Sequence, residues 1–259
     1  MGSSLLQTEL VLTSFEIIIL AVSIFFTSGL TTATGVGGGV MMLALMLQFM
    51  APSAAIPVHG AVQSLANGWR LWLLREKMIW PIILRFALPM PFGIAIGLWF
   101  FQGLPKEWAQ ILIGCFIFFS LFSQHFNKIN QKELPLWSFV PAGLVVGILN
   151  IVVGVAGPVF STLLVGRNLS RQSIVSTISV FSFLGHTFKV AGFTLVGFNF
   201  FDYAWAIVAM LPSIVIGTYC GRYLLGKISD QVFKRLLCAV MAVLAIKLVI
   251  WDGLMGGIL

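Results

Sequence analysis

Carboxylates are scarce in this chain: Asp and Glu number 8 among 259 residues, against 15 Lys and Arg. Charged residues of both signs make up only 9%, where a soluble domain carries about 25%. That shortage excludes water as the main solvent, and the 59% hydrophobic content and mean hydropathy of +1.04 agree. Cysteine is sparse too. Cys115, Cys220 and Cys238 show no Cys-x-x-Cys spacing, so they read as small buried hydrophobes and not as a disulfide or metal framework. No His-Glu-x-x-His, no Gly-x-Ser-x-Gly elbow and no paired intramembrane Asp occurs; the usual signatures of a membrane-embedded hydrolase are missing. No basic stretch precedes the first apolar run, so a cleaved signal peptide is not expected.

What is present is long apolar sequence with two sets of glycines. Apolar segments fall at 10–33, 38–50, 54–74, 79–101 and 107–126, then at 136–154, 157–166, 170–195, 203–225 and 233–252. Gly35-Val36-Gly37-Gly38-Gly39-Val40 has a weaker copy in Gly154-Val155-Ala156-Gly157-Pro158-Val159, at an offset of 119 residues. At the same offset Arg70 falls on Lys189, Asn67 on His186 and Gln63 on Ser182. The expected fold is an all-α polytopic membrane protein of two inverted repeats, residues 1–133 with a cytoplasmic linker and 134–259. Eight long transmembrane helices are expected, plus two short segments after the glycine turns that reach only about 15–20 Å and cannot cross a core of about 30 Å. Pro52 and Pro57 bracket the turn after the first short segment, Pro158 opens the second, and Pro81, Pro89 and Pro91 kink or break one span, as Pro212 does another.

Orientation follows from the basic residues. The net charge of +7 raises nucleic acid as a partner, but Lys and Arg sit a few at a time between apolar runs, which is the pattern of cytoplasmic loops. In one threading all but Lys106, Lys189 and Lys247 are cytoplasmic. It puts both termini outside and inverts the second half against the first.

The chemistry lies in two stripes. His59, Gln63, Asn67 and Arg70 are spaced by four, four and three, within roughly 80° on one helix face. Ser179, Ser182, His186 and Lys189 repeat the pattern. Each stripe offers polar groups and one cation, and neither holds a carboxylate. Of the acidic residues only Glu16 falls within a span, near its outer end. A cation carrier would need intramembrane carboxylates; this set suits an anion. Gly37, Gly38, Gly39 and Gly157 would let that anion approach backbone N–H groups at short-helix N-termini. Lys189 and His186 are expected to face the cavity opposite Gln63 and Asn67, and a side chain at Gly38 to block the anion. The competing readings are ordinary ones. The glycines can also serve as a small-xxx-small packing surface, Arg70 can snorkel to the cytoplasmic face and Lys189 to the outer one, His59 alone suits a hydrogen-bonded core, and His125 sits in a polar loop.

Pro57-x-His59-Gly60-x-x-Gln63-x-x-x-Asn67-x-x-Arg70, with Gly154-x-x-Gly157-Pro158 and His186-x-x-Lys189, resembles the sulfite exporter TauE/SafE family, also called the toluene sulfonate uptake permeases. The resemblance covers nearly the whole chain. It implies secondary transport of a sulfur-containing anion such as sulfite, sulfoacetate or another organosulfonate across a prokaryotic inner membrane. Ala156 and Pro158 depart from the commoner, glycine-rich second motif, which bears on the substrate and not on the class. The expected partners are that small anion and the bilayer, with a coupled proton or cation left open; no cofactor, metal or nucleic acid is expected, and oligomeric state is unreadable. The alternative is a membrane-embedded enzyme acting on a lipid or small thiol, for which His59 and His186 would be a poor metal pair. A non-transporting assembly factor would leave the stripes unexplained.

Overall fold

The structure, a computed structural model, describes residues 12–34, 37–74, 78–126, 133–154, 157–164, 167, 169–224, 238–239 and 241–256. Apolar chain in a bilayer must satisfy its backbone within the segment, which selects helix, and among the described residues there is no strand. The first half holds α1 (Ser14–Thr34), α2 (Gly38–Met46), α3 (Pro52–Leu74), α4 (Trp80–Ala87), α5 (Met90–Gln102) and α6 (Lys106–Phe126). The second holds α7 (Phe139–Val152), α8 (Gly157–Leu164), α9 (Arg171–Leu195), α10 (Ala204–Leu224) and a last helical stretch, α11, over 241–255, π-helical from Lys247 to Met255. Much of the expected basic loop sequence, including Arg75, Lys77, Lys128, Lys132, Lys227, Lys234 and Arg235, lies outside the described residues, as do Gly35, Val36, Val155 and Ala156.

Local chemistry sets the boundaries. Thr13 and Glu16 form a capping box ahead of α1: the carboxylate accepts from the Thr13 backbone N–H (2.7 Å) and hydroxyl (2.8 Å), and Thr13 Oγ1 accepts from Glu16 N–H (3.3 Å). Glu16 therefore caps a helix end. Ser170 caps α9 by accepting from Ser173 N–H at 3.1 Å. The span carrying Pro81, Pro89 and Pro91 does break, between Ala87 and Met90. One proline expectation needs correction. Pro57 lies inside α3 and not in the turn before it, and Pro212 likewise lies within α10; membrane helices tolerate proline where neighbours re-satisfy the freed carbonyl.

Four helical stretches among the described residues are long and apolar enough to span a bilayer: Ser14–Thr32, Trp80–Gln102, Ser173–Leu195 and Phe200–Tyr223. α2 and α8, at 9 and 8 residues, are about 12–14 Å long. Large apolar side chains such as Phe15, Phe92, Leu195 and Phe201 are exposed, an outer surface suited to lipid. Seven of the eight tryptophans are exposed near helix ends: Trp72, Trp80 and Trp137 by the α3–α4 junction and α7, and Trp99, Trp108, Trp205 and Trp251 by the opposite ends of α5, α6, α10 and α11. The cysteines are free, but Cys115 is exposed and Cys220 and Cys238 are half-buried, so the expected burial in the core is not observed.

The helix pairing repeats with the 119-residue offset. α1 packs on α10, and α7, its copy, packs on α5; α2 packs on α3 as α8 does on α9; α3 packs on α9, its own copy. Small residues permit the closest approaches. A Cβ at Gly217 would lie 2.2 Å from the Phe25 carbonyl oxygen, and one at Gly143 would lie 2.0 Å from that of Phe86.

Candidate functional site

The two polar stripes meet along the α3–α9 contact. The rings of His59 and His186 stand edge to face with centroids 5.3 Å apart. His59 Nε2 donates to the Gly39 carbonyl at 2.9 Å, which ties α3 to the first turn of α2. The Nδ1 atoms of both histidines are buried without a hydrogen-bond partner.

Neither cation snorkels. Lys189 is 0% exposed and Arg70 2%. The Lys189 ammonium donates to the Gly154 carbonyl at 2.8 Å, and its stem lies over Gly60, where a Cβ would come within 2.7 Å of Lys189 Cε. An ammonium has three N–H groups; one of them is used here. Arg70 NH1 donates to Asn67 Oδ1 at 2.7 Å and Nε to Thr32 Oγ1 at 3.3 Å. Asn67 Nδ2 in turn donates to the Gln63 carbonyl at 2.8 Å and to Gln63 Oε1 at 3.3 Å. Among the described residues no Asp or Glu is buried, and the ion pairs join other groups, Arg167 to Glu133 and Lys247 to Asp252.

The register corrects one expectation. His186 faces His59 and Lys189 faces Gly60, not Gln63 and Asn67. Gly60 and Arg70 stand ten residues apart in α3, roughly 15 Å along its axis at 1.5 Å per residue. The histidine pair lies at the Lys189 end, since His59 is the neighbour of Gly60 in α3. Ser182 is half-buried on α9, and Ser179 Oγ donates back to the Val175 carbonyl at 2.7 Å.

The glycine turns pack differently from one another. Gly37 has φ +100° and open space where a Cβ would stand. A Cβ at Gly38 would lie 2.1 Å from the Thr27 carbonyl oxygen and from Thr31 Oγ1, so Gly38 faces α1 and protein fills the space that an anion was expected to approach. Gly39 faces Gln63, whose Nε2 would be 3.6 Å from a Cβ there. In the second turn Gly154 has φ +83° and packs against Leu43 of α2 and Ile56 of α3. Gly157 is the first residue of α8.

Two site residues escaped the sequence reading. Thr32 holds Arg70 in place. Asn150 on α7 is buried, its Oδ1 has no partner, and its Nδ2 would be 2.8 Å from a Cβ at Gly185 on α9. The offset places Asn150 on Thr31, which bonds its own helix, so the repeat gave no signal for it. Among the described residues no three of His, Cys, Asp and Glu come together. The arrangement can neutralise and hydrogen-bond an anion.

The chain matches the model of the family described as Sulfite exporter TauE/SafE over residues 20–248. It belongs to the TauE/SafE family. The protein is therefore a TauE/SafE membrane transporter, and its exposed apolar helices suit that class. It is also similar to the probable inner membrane transporter protein TsaS of Comamonas testosteroni, with 25% identity over 166 residues, covering 62% of this chain and 68% of the relative. No solved structure matches this TauE/SafE protein.

Proposed function

We propose that this TauE/SafE protein carries a small sulfur-containing oxyanion, sulfite or an organosulfonate, between α3 and α9. The observation that carries the reading is a pair of buried cations, Arg70 and Lys189, with no buried carboxylate among the described residues. A buried charge is retained only where a partner compensates it, at least part of the time. A travelling oxyanion is such a partner. Lys189 and His186 form one station, with His59 and the Gly154 carbonyl beside them; Arg70, Asn67 and Gln63 form the other, to which Ser182 of α9 would add a hydroxyl. Gly37, Gly39 and Gly157 open the short helices α2 and α8, whose N-termini add partial positive charge.

Inverted repeats at residues 1–133 and 134–259, with eight long spans and two half-spans, are part of the same reading. The exchange of helix partners at the 119-residue offset supports the repeat, and the Lys/Arg distribution and two groups of end tryptophans support the inversion. Both termini then face outside a prokaryotic inner membrane, the location named for the relative TsaS. Inversion exchanges the two stations, which suits a carrier that presents one to each side in turn.

The experiment is uptake of labelled sulfite and sulfoacetate into proteoliposomes holding the purified protein, with sulfate and taurine as competitors. Uptake should saturate, and Lys189→Met and Arg70→Met should each reduce it at least tenfold. A protein that inserts and folds but moves none of these anions refutes the reading.

A further inference from the structure

A second polar concavity lies away from the α3–α9 stripes. It has a volume of about 350 Å³ and is lined by Gln48, Lys106, Gln110, Tyr203, Lys247 and Asp252 together with the apolar turn from Leu47 to Ala54. In a chain with so few charged residues, three of them meet here. Lys106 and Lys247 are two of the three basic residues that the loop pattern leaves outside the cytoplasmic set, and the third is the buried Lys189.

Its construction favours an anion. Three helices begin at its wall: α3 at Pro52 beside Ala51 and Ala54, α6 at Lys106, and α10 just after Tyr203. Each N-terminus contributes partial positive charge. Lys106 adds a full charge at the end of α6, where the helix dipole alone would disfavour a cation. One turn further in, Gln110 is only 6% exposed and lines the cavity. Lys247 donates to both carboxylate oxygens of Asp252, at 3.0 and 2.8 Å, so one of the two ammonium groups is already held by an internal anion.

We propose that this cavity is a capture site for the oxyanion that the protein transports, an inference that rests on the function proposed above. Lys106 and Gln110 take the anionic head, and Lys247 is shared between Asp252 and the incoming anion. Gly60, under Lys189, lies eight residues into α3 from Pro52, roughly 12 Å along the helix. An anion leaving the cavity would meet the Lys189 station first and the Arg70 station second. The short helix α2 runs between the same two places, from Gly37–Gly39 to the Leu47–Met50 wall.

The sign of one substitution separates this from a structural role. If Asp252 competes with the anion for Lys247, Asp252→Asn should tighten sulfite binding about 3- to 10-fold, and Lys106→Gln should weaken it by a similar factor. A merely structural ion pair would instead make Asp252→Asn neutral or harmful. The measurement is calorimetric titration of the full chain in detergent with sulfite at two salt concentrations, in the wild type and in a Lys189→Met background. The Lys106 and Asp252 effects should persist in that background and shrink at high salt. Lys106 is exposed, so its substitution does not threaten the fold. The proposal is overturned if Lys106→Gln binds sulfite within two-fold of wild type, if Asp252→Asn binds no more tightly than wild type, or if wild type binds no sulfite. Wild type that binds sulfite with these responses but transports none would overturn the transport reading and leave the capture site standing.

Discussion

Replacing Lys189 by methionine should separate binding from stability. The ammonium gives the folded protein one hydrogen bond, to the Gly154 carbonyl, and its stem fills the space over Gly60. Methionine keeps most of that stem. Freeing the Gly154 carbonyl costs about 1–3 kcal/mol, whereas removing a buried charge that has no counter-ion relieves a desolvation penalty on the order of several kcal/mol. The two offset one another, so the melting temperature should move little, while the lost charge-assisted hydrogen bond, about 1.5–3 kcal/mol, should weaken sulfite binding roughly 10- to 150-fold. Lys189→Ala should lose stability as well, because it also empties the volume above Gly60. Lys189→Arg should bind better than Met without full recovery, since a planar fork replaces a point charge in a closed space. Gly60→Ala supplies an internal check: its Cβ would press on Lys189 Cε at 2.7 Å, moving the ammonium while keeping its charge, and binding should fall without loss of charge. The assays are thermal unfolding and calorimetric titration on the same detergent preparations. If Lys189→Met melts well below wild type yet binds sulfite within two-fold, the lysine is a brace for the Gly154 turn and the anion lies elsewhere.

Gly38→Leu should fail to accumulate in the membrane, because a side chain there meets the Thr27 carbonyl; normal yield on a membrane blot would contradict the packing described. Gly37→Ala has room but the wrong dihedral, so it should insert with a stability loss of about 1–2 kcal/mol, read as a lower melting temperature. Thr32→Val should leave yield intact and weaken binding by less than Arg70→Met, since it loosens the guanidinium without removing it; equal effects in titration would make Thr32 a contact in its own right. In a cysteine-free background, Ser3→Cys should react with an impermeant thiol reagent added to whole cells and Asn130→Cys should not, and the reverse pattern would overturn the assigned orientation.

Much of the fold was legible because the decisive residues are ones with few uses. Glycine runs announced α2 and α8, and Pro89 announced the break before α5. Proline inside α3 was not legible, since Pro57 reads the same in a turn as in a helix whose neighbours cover the gap. Nor was the placement of Cys115: in a membrane protein the lipid-facing and core-facing sides are equally apolar, and sequence does not distinguish them. For the site, spacing showed which residues share a face of α3 or α9, because helical periodicity is local. It did not show the register between the two helices. That is set by contacts such as Lys189 on Gly60 and Phe183 on Gly68, and it moved His59 opposite His186. Thr32 escaped because a threonine in an apolar span usually bonds its own helix, as Thr31 does to the Thr27 carbonyl.

The pairing of α1 with α10 also constrains how the protein is made. α1 leaves the ribosome well before α10, and the glycines it packs against, Gly217 and Gly221, follow about 190 residues later, a delay of roughly 10–40 s at ordinary synthesis rates. For that interval the α1 face that later closes on α10 has only lipid or an insertase to rest against. α7 waits for nothing, because its partner α5 precedes it. The first half of the chain therefore enters the membrane incomplete and is closed by the second, so a ribosome stalled before α10 should strand an α1 that quality-control proteases can reach.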